Sequence, residues 1–252
     1  MAVSDLDFNP PDDAVQWCLA QDPALLVLDD TVTIDLDEYN DLLAAFGHDT
    51  ALRGRDADGR VVSAGTAYLQ RHDLIPGSEL LDLARPDRSL LLHCSAWLDL
   101  HPHRSGSRAL TLLEQTAECG SDMGPVDDFL QLCRAGLPVA DARRYGWLAA
   151  PEMELELRAL VMWAYRMKPI DFLPAQLFDR RGAYTLIRHG WLDDPSWPAT
   201  SAKRYDEYLH VLEMWAAYAD VDSAVMEMWL VREWHRRRSA ARMKYRGDQP
   251  PF

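Results

Sequence analysis

Gly146-Trp147-Leu148-Ala149-Ala150-Pro151 and Gly190-Trp191-Leu192-Asp193-Asp194-Pro195 are two copies of one phrase, set 44 residues apart. Pro125-Val126-Asp127 and Pro169-Ile170-Asp171 precede them at the same offset, and Arg144 matches Arg188. Downstream, Met162-Trp163-Ala164-Tyr165 corresponds to Met214-Trp215-Ala216-Ala217, the second delayed by eight residues around Trp197. A helical repeat of about 40 residues is the signature of a solenoid or a duplicated bundle. Each unit reads as two short helices ending at Gly-Trp-Leu, a proline-bearing turn, and a long helix. Both glycines are expected at helix C-termini with positive φ, and both prolines just beyond, where they cannot continue the helix. The expected fold is therefore mainly α: a helical bundle or short solenoid with an internal duplication, over about 125–167 and 169–219.

The flanking patterns agree with that class. Leu157, Leu160, Val161 and Ala164 form one helical stripe, and Tyr205, Tyr208, Leu209 and Leu212 form another. A last helix runs from Ser223 through Met226, Trp229, Leu230 and Trp234, capped by Asp222 or Ser223. The helical region is drawn at 76–240, with helical signal at Leu80 to Ala84 ending in a break at Pro86, then an apolar run from Ser89 to Leu98 and another at Ala109–Thr116. Residues 1–75 read instead as a small α+β element. Pro10-Pro11-Asp12-Asp13 opens a short helix through Cys18, and Ala24–Leu28 reads as a strand paired with Thr31–Ile34. Asp35 with Glu38 three residues on predicts a capped helix through Phe46. Thr50–Arg55 and Arg60–Ala64 flank Asp56-Ala57-Asp58-Gly59, a hairpin with its turn ending in Gly.

Composition sets the class and the compartment. The 252 residues are 48% hydrophobic and 26% charged, a globular balance rather than a disordered one. Forty acids against 26 bases leave a net charge of −14, which repels bare nucleic acid over a broad surface. The bases are concentrated: Arg232, Arg236, Arg237, Arg238, Arg242, Lys244 and Arg246 face Glu233 alone. That segment carries about +6 and the remainder about −20; a basic tail over 241–252 then ends in a stretch expected to fray. No apolar run reaches the roughly 20 residues a membrane span needs, and Met1 to Pro10 shows no secretory leader, so a cytoplasmic location is expected. Cys18, Cys94, Cys119 and Cys133 form no C-x-x-C pair and read as small buried hydrophobes.

Few residues carry a chemical signal. Asp99-x-His101-x-His103 resembles half of a zinc or iron site, because imidazoles two apart share one face of a strand. Pro102 disfavours a regular strand, so a solvent-exposed turn is the preferred reading. Glu152, Glu154 and Glu156 read as a first helical turn favouring the macrodipole. No G-x-S-x-G, Walker loop, G-x-G-x-x-G or H-E-x-x-H occurs.

Arg88-Ser89-Leu90-Leu91-Leu92-His93 resembles the arginine–histidine signature of the higher eukaryote and prokaryote nucleotide-binding ribonucleases, which are helical bundles; Arg204 to His210 fits the same spacing. The resemblance spans six residues. It implies a ribonuclease acting through His93.

The expected function is a non-catalytic, acidic, α-helical interaction protein: an adaptor, an inhibitor or immunity protein, or a subunit of a larger assembly. The alternative is a helical enzyme, metal-dependent through His101 and His103 or a ribonuclease through His93. Candidate partner-binding residues are Arg236, Arg237, Arg238, Arg242 and Arg246, with Trp197 as the most exposed indole. No cofactor is expected. A protein partner is expected, a basic one complementing the acidic body, with nucleic acid reached through the arginine-rich end or through a complex.

Overall fold

The computed structural model describes residues 8–104, 124–136, 153–166, 173–191 and 202–247. It is mainly helical, with a small four-stranded antiparallel sheet near the N-terminus. Helix α1 (Asp12–Leu19) starts on Pro11 with Asp12 and Asp13 in its first turn, where acids suit the macrodipole. Strand β1 (Thr31–Asp35) leads directly into α2 (Leu36–Ala45), capped by the Asp35 carboxylate, which accepts from the N–H groups of Asp37 and Glu38.

The sheet order is β1-β4-β2-β3, with β2 (Gly54–Arg55), β3 (Val61–Val62) and β4 (Thr66–Gln70). The hairpin stands where the sequence placed it, with shorter strands. Asp56 builds its turn: its side chain accepts from the N–H groups of Asp58 and Arg60, and Gly59 takes φ +79°. Pairing of Thr31 with Gln70 through Asp35 with Thr66 buries Val32, Ile34, Ala67 and Leu69 on the face toward α3.

Two local expectations fail for identifiable reasons. Ala24–Leu28 is a π-helical turn rather than a strand: the Asp22 side chain accepts from Ala24 N–H and Pro23 holds helical φ. Only Val27 of that turn is buried, and β4 takes its place beside β1. Pro86 opens a helix instead of ending one. Leu80 to Arg85 form turns held by the Ser78 and Asp82 side chains, and α3 (Pro86–Leu100) carries its proline in the first turn, where no N–H is missed. Every residue of α3 from Ser89 to Leu98 is buried, packed in part against β1 and β4.

Around it stand α4 (Gly124–Ala135), α5 (Leu155–Ala164), α6 (Arg180–Arg188), α7 (Ala202–Ala219) and α8 (Ser223–Gly247). Helix α8 packs on α6, α7 and α1, and α5 packs on α3. The predicted stripes of α5 and α7 are buried, and Asp222 caps α8 by accepting from Ala224 N–H at 2.7 Å. Trp215 and Trp229 meet between α7 and α8, with the Trp215 indole donating to the Phe8 carbonyl at 2.8 Å.

Gly190 ends α6 with φ +98°, and Trp191 is buried against Tyr208, as the second Gly-Trp-Leu copy predicts. The first copy, Gly146-Trp147-Leu148, lies outside the described residues, as do Trp197, Cys119 and Ala109–Thr116. The two Met-Trp-Ala segments occupy different settings. Trp163 is half-buried beneath the Arg71 guanidinium, 4.2 Å from its ring, whereas Trp215 is fully buried among aromatic rings. Among the described residues no helix is long and apolar enough to cross a membrane.

Candidate functional site

His101, His103 and Arg104 belong to the turn that leaves α3; Pro102 and His103 are exposed, as the sequence suggests, while His101 and Arg104 at its two ends are pinned to the body. His101 and Arg104 are 8% and 4% exposed, because a bidentate ion pair clamps Arg104 onto α8. Its guanidinium donates to Glu227 Oε1 at 2.7 Å and to Oε2 at 2.9 Å, and Glu227 is wholly buried. Burial works against the Arg104 charge, but Glu227 and then Asp30 outweigh it and hold the guanidinium above its ordinary range. Buried Arg71 lies in the same field, brought down to about 10 by burial and then by Arg104, and thus still protonated at neutral pH.

Asp30, in the bend before β1, completes this layer. His103 N–H donates to His101 Nδ1 at 3.2 Å, so the His101 proton sits on Nε2 and donates to Asp30 Oδ1 at 2.8 Å. Burial raises the Asp30 carboxyl, yet the His101 hydrogen bond and the charges of Arg104 and Arg71 leave it lowered. Both nitrogens of His101 are thereby committed within the protein. Its ring stands 6.1 Å from the His103 ring, edge to face, and the two do not converge on one point. Among the described residues no group of three or more His, Cys, Asp and Glu is arranged to hold a metal ion.

A third imidazole joins them from far along the chain. His235 of α8 stands 5.0 Å from His103, ring centre to ring centre, and its Nε2 donates to the His103 carbonyl at 2.9 Å. Arg181 of α6 donates to the same carbonyl. Beneath this rim lies a pocket of about 340 Å³, walled on one side by Asp30, His101, His103 and Arg104. The other wall is one face of α8, on which Met228 and Val231 are half-buried and buried, His235 half-buried, and Arg232, Arg236 and Ser239 exposed.

The arginine-rich end of α8 divides in two. Arg236 and Arg237 both donate to Glu233, a carboxylate with no solvent exposure, and Arg236 also stands 3.6 Å from Asp13 of α1. Burial raises Glu233, but its bonds to the two arginines win and lower it. Arg238 and Arg242, in contrast, belong to a run from 238 to 242 in which every residue is exposed. Arg246 lies in the same helix, its side chain outside the described residues.

The remaining candidates are internal. His93 is fully buried on α3: its Nδ1 donates to the Ser89 carbonyl at 2.7 Å and its Nε2 accepts from Arg53 N–H at 3.3 Å. Burial holds this imidazole below its ordinary pKa, and Arg88 reaches away toward Asp127 of α4. Glu156 stands in the first turn of α5, where the sequence places it, and there it is 2% exposed and paired with Arg180 at 2.9 Å. Cys18, Cys94 and Cys133 are buried free thiols, each raised by burial.

The fold and site thus define a mainly helical protein with a small antiparallel sheet, a buried Arg–Glu clamp and a histidine- and arginine-rimmed pocket. No family model, curated protein or solved structure matches this chain.

Proposed function

We propose that this chain is a non-catalytic interaction protein that docks through the arginine-rich end of α8 on an acidic partner, as an adaptor, inhibitor or assembly subunit does. The observation that carries this reading is the run of exposed residues from Arg238 to Arg242. Five consecutive exposed positions exceed one helical turn of about 3.6 residues, so every side of the helix is open to solvent there. An unsupported helix end is marginal in water, and Arg238 and Arg242 at i, i+4 repel each other by a few tenths of a kcal/mol. A carboxylate-bearing surface laid along it would relieve both penalties.

The acidic body does not preclude such a partner. From Arg238 to Gly247 the helix extends by about 15 Å at about 1.5 Å per residue, against a screening length of about 8 Å at physiological salt. An approaching surface therefore meets the arginines before the carboxylates of the body. The pairing of Arg236 and Arg237 with Glu233 assigns those two to internal compensation and leaves Arg238 and Arg242 for the partner.

The test is capture from native lysate by the full chain and by its Arg238→Gln/Arg242→Gln variant, at low and high salt, with and without nuclease. A protein retained by the parent chain, lost by about tenfold on the variant and weakened by salt supports the reading. Equal capture by both chains refutes it. Loss on nuclease treatment transfers the role to nucleic acid.

A further inference from the structure

We infer that the pocket between the His101–Arg104 turn and α8 is a binding site for a small organic anion, an acidic head of carboxylate or phosphate type on a short apolar body. The site is distinct from the docking end of α8 and stands or falls separately. A cavity of about 340 Å³ lies at the small end of the range for ligand sites, and its make-up matches them: an apolar floor with a few convergent polar groups.

The charge of the mouth selects the ligand. Of the carboxylates nearby, Glu227 is consumed by Arg104, while Asp30 gives one oxygen to His101 and keeps the other, without a hydrogen-bond partner, 3.9 Å from the Arg104 guanidinium. The guanidinium groups are less fully neutralised. Arg232 rests over the Trp17 ring at 5.2 Å, and Arg236 shares Glu233 with Arg237 and reaches Asp13 only at 3.6 Å. Buried Arg104 leaves its Nε without a hydrogen-bond acceptor. His103, the exposed imidazole of the rim, is held below its ordinary pKa by burial and then by His235, His101 and Arg181, against the opposing pull of Asp30. Burial accounts for the larger share of that depression, and the share from the basic neighbours is one an anion at the rim would offset.

The arrangement also separates head from body. Met228 stands one turn from Arg232 and Val231 one turn from His235 on the same helix face. An acidic head at the rim would meet guanidinium and imidazole donors while its apolar part lies on Met228 and Val231. Benzoate and phenyl phosphate have this form; benzyl alcohol shares the body without the charge, and benzylamine reverses it.

The experiment titrates the full chain with each of these four compounds and follows the histidine ring resonances by NMR. Benzoate and phenyl phosphate are expected to move His103 and His235 with Kd on the order of 1 mM or tighter. Benzyl alcohol should bind at least about tenfold more weakly, and benzylamine not at all. Arg232→Gln should weaken the two anions by about tenfold, the loss of one charge-assisted contact. Arg60→Gln, an exposed arginine of the β-hairpin, should change nothing. The charge series is read on the parent chain and does not depend on any variant folding. The inference is overturned if neither anion moves the two rings at about 10 mM, if benzyl alcohol binds as well as benzoate, or if Arg232→Gln keeps the parent affinity.

Discussion

Removing one partner of the Arg104–Glu227 clamp should be among the most damaging single changes available to this fold. The pair is bidentate at 2.7 and 2.9 Å, with side-chain exposures of 2% and 0%. Arg104→Met would leave Glu227 buried with only the longer-range attraction of Arg71; Glu227→Leu would leave Arg104 with Asp30, 3.9 Å away, and the longer-range attraction of Asp179. Stranding a buried charge in this way costs about 3–5 kcal/mol. For a chain of this size that corresponds to a Tm lower by roughly 6–20 °C. The double variant Arg104→Met/Glu227→Leu removes both charges and fills the space with apolar atoms, so it should recover most of the loss. A double-mutant cycle by urea unfolding at neutral pH measures this, and with each single costing about 3–5 kcal/mol and the double about 1 kcal/mol, a coupling of about 5 kcal/mol or more is expected. Single losses below about 1 kcal/mol, or a double variant no better than the sum of the singles, would refute the clamp.

Two further predictions concern the body. Burial, outweighing the attraction of half-exposed Arg180, raises Glu156 from 4.5 to about 7, so between those values the folded chain holds a proton that the unfolded chain has lost. Stability from this group is therefore greatest below pH 4.5 and declines as pH rises to about 7, by roughly 3 kcal/mol in all. Glu156→Gln should abolish that slope, visible as a gain over the parent chain that grows from pH 5 to pH 8 in urea unfolding; a gain independent of pH would contradict it. At Gly54 a Cβ would fall 2.7 Å from the Ala67 Cβ and 3.2 Å from the Tyr68 carbonyl oxygen, so Gly54→Ala must push β2 off β4. The expected cost is about 1–3 kcal/mol, with loss of the Arg55–Tyr68 pairing in amide-proton NMR.

What the sequence made legible was local. Asp35 caps α2, Asp56 and Gly59 shape the hairpin turn, and the stripe of Tyr205, Tyr208, Leu209 and Leu212 faces the core, because each signal lies within one turn or one helix. Ala24–Leu28 misleads because a short apolar run of strand length carries no period to separate strand from helical turn. The strand that does pair with β1 had a readable pattern, Ala67 and Leu69 alternating with polar neighbours after Gly65. Pro86 misleads because proline breaks a helix that precedes it and suits the first turn of one that follows.

The site was legible only in half. His101 and His103 stood out as a pair, but His235 lies 132 residues beyond His103, and Glu227 lies 123 beyond Arg104. No spacing rule reaches across such intervals, and forty carboxylates offered no means of choosing one. One compositional fact did bear on it: lysine supplies only three of the 26 bases. Arginine presents a fork that meets both oxygens of a carboxylate and loses less on leaving water, so it is the base suited to pairing acids inside a fold. The buried carboxylates bear this out. Glu227 takes Arg104, Asp73 takes Arg55, Glu156 takes Arg180, and Glu233 takes Arg236 with Arg237. An ammonium at residue 104 could not fill both oxygens of Glu227 in that parallel geometry, and the turn bearing His101 and His103 would lose its two-point attachment to α8. The arginine bias thus serves the interior first. Arg238 and Arg242 are notable for the opposite reason: they follow the same bias on a stretch of helix in which every residue from 238 to 242 is exposed.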